Sequence, residues 1–192
     1  MSGLILGSAS SYRRALMQRL QVPFTWEAPN VDEAAVKQSG HEPLATIQAL
    51  ARRKALSVFE LHPKCVVIGC DQAAVIDGRL LDKPGTAERA IAQLRELRGR
   101  EHRLITAVAI AHSGGLVEFS DIARLVMRDL TDGEITRYVA AEQPLDCAGS
   151  YMIERLGITL FERIDSHDHT AITGLPLLQL CTELRKLGVP LP

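Results

Sequence analysis

No stretch of this 192-residue chain stays apolar for the ~20 residues that a bilayer-spanning helix needs. The N-terminus also lacks the basic-then-apolar layout of a secretory signal, so a cytoplasmic setting is expected. There is no basic excess. Lys and Arg number 22 against 23 Asp and Glu, a formal net charge of −1, which argues against a dedicated nucleic-acid binder. The four cysteines, Cys65, Cys70, Cys147 and Cys181, form no C-x-x-C and no His/Cys pair with zinc spacing. For most of them a reduced core cysteine is expected, and nothing marks Cys147, beside Ala148-Gly149, as a nucleophile. The phosphate loop G-x-x-x-x-G-K-[ST] is absent, as is the G-x-S-x-G elbow of serine hydrolases.

What remains is an ordinary globular composition, 46% hydrophobic, in a length suited to one good core. Strand-like and helix-like segments alternate, the pattern of an α/β protein. Leu4 to Leu6 reads as a strand, followed by helical spacing at Tyr12, Leu16 and Leu20. Leu44, Ile47, Ala51 and Val58 predict a long helix to about residue 60. Cys65 to Cys70 is a continuous apolar run, as in a buried strand. Asp77-Gly78 signals a turn between Ala73–Ile76 and Arg79–Leu81, and Ile91, Leu94 and Leu97 mark another helix. Two long extended runs, 103–112 and 116–127, flank Ser113-Gly114-Gly115 and predict an antiparallel hairpin. Thr131 to Glu134 matches a capping box. Gly157 to Phe161 reads as strand, and Leu175-Pro176 opens a last helix with Leu178, Cys181, Leu184 and Leu187 on its apolar side. A parallel element beside long antiparallel strands predicts a mixed, twisted sheet flanked by helices, in two lobes with a central cleft.

Several positions invite chemistry. In Gly7-Ser8-Ala9-Ser10-Ser11-Tyr12-Arg13-Arg14, a strand end meets a helix start, where backbone N–H groups, hydroxyls and guanidinium forks suit a phosphate. The plain alternative is a serine-capped helix with solvated arginines. Asp71 follows the buried run at a strand's C-terminal end, where ligands gather in open α/β sheets. A carboxylate there holds a hard cation or orients water, or else caps the strand. Asp32-Glu33 adds oxygen donors in a loop. Lys54 lies on a helix beside the buried-looking Ala51 and Ala55, and Lys83-Pro84 lies in a loop. Asp165, His167, Asp168 and His169 look metal-like by eye but lack a third ligand set, so a solvated loop is the stronger reading.

Taken in order, these fragments resemble the Maf family of nucleoside triphosphate pyrophosphatases. The resemblance runs from Leu6-Gly7-Ser8-Ala9-Ser10 with Arg13 through Asp32-Glu33, Ala51 to Ala55, Gly69 with Asp71, and Lys83-Pro84. It continues through Leu97-Arg98-Gly99, Glu134-Ile135 with Tyr138, Ala148 to Tyr151, and Gly174 to Leu177. It implies one Maf-like domain over residues 1–192, with a two-lobed fold of the Maf and inosine-triphosphatase kind. It further implies cleavage between the α- and β-phosphates, a divalent cation (magnesium or manganese), a cytoplasmic setting and a homodimer, with no nucleic-acid or membrane partner. By that resemblance Asp71 is the proton acceptor or a metal ligand, and Glu33 is the metal-side acid. Ser8, Ser10, Arg13, Lys54 and Lys83 take phosphate-side positions.

Three positions bear on the base. The family's dTTP/UTP branch typically carries Arg, Thr and Gln where this chain has Tyr12, Gln72 and Glu154. This combination resembles the branch acting on 7-methyl-GTP. N7-methylation gives guanine a positive charge, which stacks on an aromatic face such as Tyr12. The adjacent N–H donors of guanine suit a carboxylate such as Glu154. The sequence departs from that branch where Trp more often stands at Tyr12, Pro at Ser11 and Ala at Gly7. The alternatives within reach of the resemblance are a dTTP/UTP pyrophosphatase and a non-catalytic nucleotide-binding regulator of septum formation.

Overall fold

The computed structural model describes residues 3–38 and 40–191. They form two compact units. The first comprises the described residues up to Asp71, Thr106–Asp121, and the described residues from Asp168 onward. The second comprises Gln72–Ile105 and Ile122–His167.

In the first unit, β1 (Leu4–Gly7) pairs in parallel with β2 (Thr25–Glu27) on one side and with β3 (Val66–Ile76) on the other. Alternation along these strands sends side chains to two different layers. Leu4, Leu6, Val66, Ile68 and Cys70 pack with Leu16 and Met17 of α1 (Ser11–Gln18) and with Leu177, Leu180 and Leu184 of α7 (Leu177–Lys186). On the opposite face, Ile5 and Val67 meet Val58 of α3 (Pro43–Phe59). Helices therefore cover both faces of this part of the sheet. Between β2 and α3 lies the short helix α2 (Glu33–Lys37), capped by Asp32, whose Oδ1 accepts from the Ala35 N–H at 3.0 Å.

The approach of α3 depends on two glycines. Gly7 and Gly69 are register partners in β1 and β3. A Cβ on Gly69 would sit 2.3 Å from Ala55 N and 2.4 Å from Ala51 O, and one on Gly7 would sit 3.3 Å from Lys54 O. The helix backbone rests directly on the sheet at the turn that carries Ala51, Lys54 and Ala55.

The second unit holds the end of β3, which pairs antiparallel with β4 (Arg79–Leu81), and the helices α4 (Ala87–Leu97) and α5 (Asp132–Glu142). Asp77 and Gly78 both take positive φ in the β3–β4 turn, as a two-residue hairpin with Gly requires. β5 (Glu101–His112) and β6 (Gly115–Met127) are sheet neighbours joined by two residues, a connection open only to an antiparallel pair. β7 (Phe161–Asp165) pairs antiparallel with β6. The strand order is β2-β1-β3-β5-β6-β7, with β4 paired to β3 off that path. The sheet is mixed and the class is α/β. Both halves of the capping box are present at α5: the Thr131 hydroxyl accepts the Glu134 N–H, and Glu134 accepts the Thr131 N–H.

Two expectations fail. Residues Leu156–Leu160 form a 3₁₀ turn, so the strand begins only at Phe161. Gly157 lies against Met152, where its N–H donates to Met152 O at 3.0 Å and closes a turn instead of extending a strand. In α7, Leu178 is 60% exposed and the buried positions of the first turns are Leu177 and Leu180, whereas Leu184 is buried and Leu187 packs against the core as expected. The start of α7 is held by Asp168, the N-cap of α6 (His169–Thr173). Its Oδ1 accepts from the Thr170 N–H and hydroxyl, and its Oδ2 accepts from the Leu178 N–H at 2.7 Å. Asp168 thus ties two helix starts together, while His167 and His169 are exposed.

Candidate active site

The first unit assembles a cluster of charged groups at the C-terminal end of its half of β3. Asp71 is buried although it is an acid, because Lys54 reaches it from α3. The Lys54 ammonium donates to Asp71 Oδ1 at 2.6 Å and lies 2.7 Å from Glu33 Oε1. The side chains of Lys54 and Asp71 are 9% and 10% exposed, whereas that of Glu33 is 47% exposed. The seat of α3 on Gly69 explains the pairing. The helix turn that touches Gly69 carries Lys54, and two residues further along the strand stands Asp71. Charges this deeply placed persist only when paired. One ammonium between two carboxylates leaves the trio with a formal charge of −1, a fitting host for further positive charge.

The N-terminal corner has the expected strand-turn-helix form. Ser10 caps α1, its Oγ accepting from the Arg13 N–H at 3.4 Å, and Ser8 Oγ accepts from the Ser10 N–H at 3.2 Å. Each hydroxyl thereby uses an acceptor lone pair and keeps its own proton to donate. Arg13 turns toward the same stretch of β3: Nη1 donates to Cys70 O at 2.9 Å, and Nε donates to Gly174 O at 3.0 Å. Two of its five donors are thus held by backbone carbonyls, which fixes the plane of the guanidinium next to Asp71. Arg14 goes elsewhere and stacks over the half-exposed Trp26, 4.2 Å from the ring centroid. Tyr12 is half-buried in the first turn of α1. Asp32 is occupied as the α2 cap, so the acidic pair divides, with only Glu33 facing Lys54.

Ser8, Ser10, Arg13, Glu33, Lys54 and Asp71 all belong to the first unit. Gln72, Lys83 and Glu154 belong to the second. Gln72 follows Asp71 in β3, Lys83 is exposed in the loop after β4, and Glu154 is exposed in the turn 153–155. Sequence patterns gave no sign of a set of groups that brace this second part. Tyr138, on α5, accepts the Met152 N–H at 3.0 Å. His102 Nε2 meets the Tyr151 hydroxyl at 2.9 Å. Burial pushes the His102 imidazole down to about 4 and raises the Tyr138 and Tyr151 phenols above their usual range. These three groups are neutral in the folded protein at pH 7.

The fold is shared with a HAM1 protein from Coxiella burnetii, with a TM-score of 0.50 at 14% identity over 97% of this chain and 100% of that one. Residues 3–187 match the family described as Maf-like protein, and the chain belongs to the Maf family. A relative in Polaromonas sp. (strain JS666 / ATCC BAA-500), named 7-methyl-GTP pyrophosphatase, is 48% identical over 98% of this chain and 86% of its own length. Relatives with the same name in Pseudomonas putida (strain KT2440) and Xanthomonas oryzae pv. oryzae (strain MAFF 311018) are 42% and 46% identical, covering 98% and 100% of both chains, respectively.

Proposed function

We propose that this protein is a hydrolase that cleaves 7-methyl-GTP to 7-methyl-GMP and pyrophosphate. The observation that carries the chemistry is the Glu33–Lys54–Asp71 trio, a paired acid midway along β3 beside a guanidinium and two hydroxyls. The identity of the base is supported by the name shared by full-length relatives.

In this reading Asp71 accepts the proton of the attacking water. The water oxygen bonds to the α-phosphorus, and the bond to the oxygen bridging Pα and Pβ breaks, its electron pair leaving with pyrophosphate. Ser8 and Ser10 donate hydroxyl protons to phosphate oxygens. Arg13, Lys54 and Lys83 balance the phosphate charge. Tyr12 offers a face to the cationic base, and Gln72 and Glu154 offer hydrogen-bonding groups to its edge.

A divalent cation fits the donor set in one respect: two carboxylates already converge on a single cation, the Lys54 ammonium. Among the described residues no group of three His, Cys, Asp or Glu forms a ligand set. That suits magnesium or manganese, which binds through one or two carboxylates and completes its shell with phosphate oxygens and water. Glu33 and Asp71 would hold it, and it would supply charge neutralisation at the phosphates. We extend the proposal to a cytoplasmic homodimer, in keeping with the family resemblance. Among the described residues no helix is long and apolar enough to cross a membrane.

The test is pyrophosphate release from a nucleotide panel with magnesium or manganese. Turnover of 7-methyl-GTP well above GTP, dTTP and UTP, abolished by a chelator and restored by the metal, is the expected result. Rapid release from dTTP or UTP with none from 7-methyl-GTP overturns the base assignment. Nucleotide binding without any turnover would instead favour a regulator.

A further inference from the structure

Gln93 is half-buried on α4 and has no place in the chemistry above, yet its side-chain amide makes two bonds in opposite directions. Its Nε2 donates to Asp82 O at 2.7 Å, the carbonyl immediately before Lys83. Its Oε1 accepts from the Ser150 hydroxyl at 2.5 Å. One amide thus links the loop that carries Lys83 with the segment that leads to Glu154, all within the second unit.

The Ser150 end of this link is built under strain. Gly149 and Ser150 both take left-handed φ, 72° and 62°, and Ser150 is fully buried. A non-glycine residue in that region persists only when its surroundings hold it there. Gly149 cannot be larger, because a Cβ would lie 2.5 Å from the Tyr151 ring and 3.1 Å from the Ala74 side chain. The following residues are fixed as well, by His102 at Tyr151 and by Tyr138 at Met152. Met152 O then accepts from the Arg155 N–H at 3.1 Å and the Gly157 N–H at 3.0 Å, closing the turn that presents Glu154. An exposed acid on a surface turn is ordinarily mobile. Here the turn is closed at both ends on a braced segment, as a discriminating carboxylate needs.

We propose that Gln93 is a positioning residue that sets the spacing between a phosphate-side group, Lys83, and a base-side group, Glu154, and thereby the enzyme's choice of base. This rests on the roles proposed above for those two residues. Losing the brace leaves Asp71 and Lys54 untouched, so the cost falls on recognition of the nucleotide and not on bond cleavage.

The experiment measures kcat and KM for 7-methyl-GTP and GTP with the unaltered enzyme and with Gln93→Ala, Gln93→Glu and Ser150→Gly. Ser150→Gly relieves the backbone strain while removing the hydroxyl, so it tests the link without demanding a strained residue. Gln93→Glu keeps the acceptor for Ser150 and loses the donor to Asp82. Melting temperatures identify any variant that fails to fold. The expected result is a loss of about tenfold in the ratio of kcat/KM between the two nucleotides, carried by KM, in Gln93→Ala and Ser150→Gly, with kcat within about threefold. An unchanged ratio in folded Ser150→Gly and Gln93→Glu overturns the proposal, as does an equal fall in kcat for both nucleotides. If the unaltered enzyme prefers another nucleotide, the base assignment fails. The brace is then judged on the ratio between that nucleotide and GTP.

Discussion

Gly7 and Gly69 face each other across β1 and β3, and the backbone of α3 lies over both, with Lys54 on the turn that makes the contact. The depth of that seat sets whether the Lys54 ammonium reaches Asp71 at 2.6 Å.

Gly69→Ala forces a methyl group to within 2.3 Å of backbone that cannot rotate aside. The helix must lift, at a cost of about 3 kcal/mol, or roughly 6–12 °C in melting temperature for a protein of this size. Activity should fall further than stability, because Lys54 moves with the helix. Thermal melts and pyrophosphate release at a temperature where the variant is folded check this.

Asp71→Asn keeps the size of the side chain and removes its capacity to take a proton. Turnover should drop about 10²–10⁴-fold while KM changes by less than about threefold. A variant that loses affinity and keeps its turnover contradicts the assignment.

His102 gives the fold a pH dependence whose sign follows from burial. Its imidazole titrates near 4 in the folded protein, against 6.5 for a solvated histidine, so the unfolded chain takes the proton first as pH falls. The stabilising preference for neutral His102 is complete above 6.5 and is lost progressively down to about 4, amounting to roughly 3 kcal/mol over that window. His102→Gln keeps a hydrogen-bonding group for Tyr151 and removes the titration. Denaturant unfolding at pH 7 and pH 5 should show a smaller difference in the variant than in the unaltered protein.

Asp168→Ala separates a structural acid from a metal ligand. The carboxylate accepts three bonds from α6 and the first turn of α7, and its loss leaves part-buried donors unpaired. A destabilisation of about 2 kcal/mol is expected, with pyrophosphatase activity and its metal dependence retained per folded molecule.

The elements legible in the sequence are those where pattern and environment agree. The β1–α1 corner, the long α3, the 131–134 cap and the hairpin turn at Ser113-Gly114 each combine a hydrophobic period with a chemical punctuation mark. β2 escaped notice because three residues at an exposed edge carry no alternation, and Trp26 is 51% exposed. β3 continues past Asp71-Gln72, where a polar pair reads as a strand end. The acid stays in the strand because Lys54 compensates it, a partner 17 residues away that no local pattern announces. Residues 157–160 alternate like a strand and are turned into a 3₁₀ turn by the fit of Gly157 against Met152. Within the candidate site, the hydroxyls, Arg13, Lys54 and Asp71 were legible as residue types, and Arg13's hold on two backbone carbonyls was not. Gln93 gave no signal at all, since a half-buried amide on an amphipathic helix looks like any other.

Cys70 immediately precedes Asp71, and its thiol is buried, donates to Gly174 O at 3.1 Å and is pushed up by that burial. Alkylating agents and peroxides attack the thiolate, which this environment suppresses. The buried acid of the candidate site therefore has a sulfur neighbour that its surroundings shield from oxidants and alkylating agents.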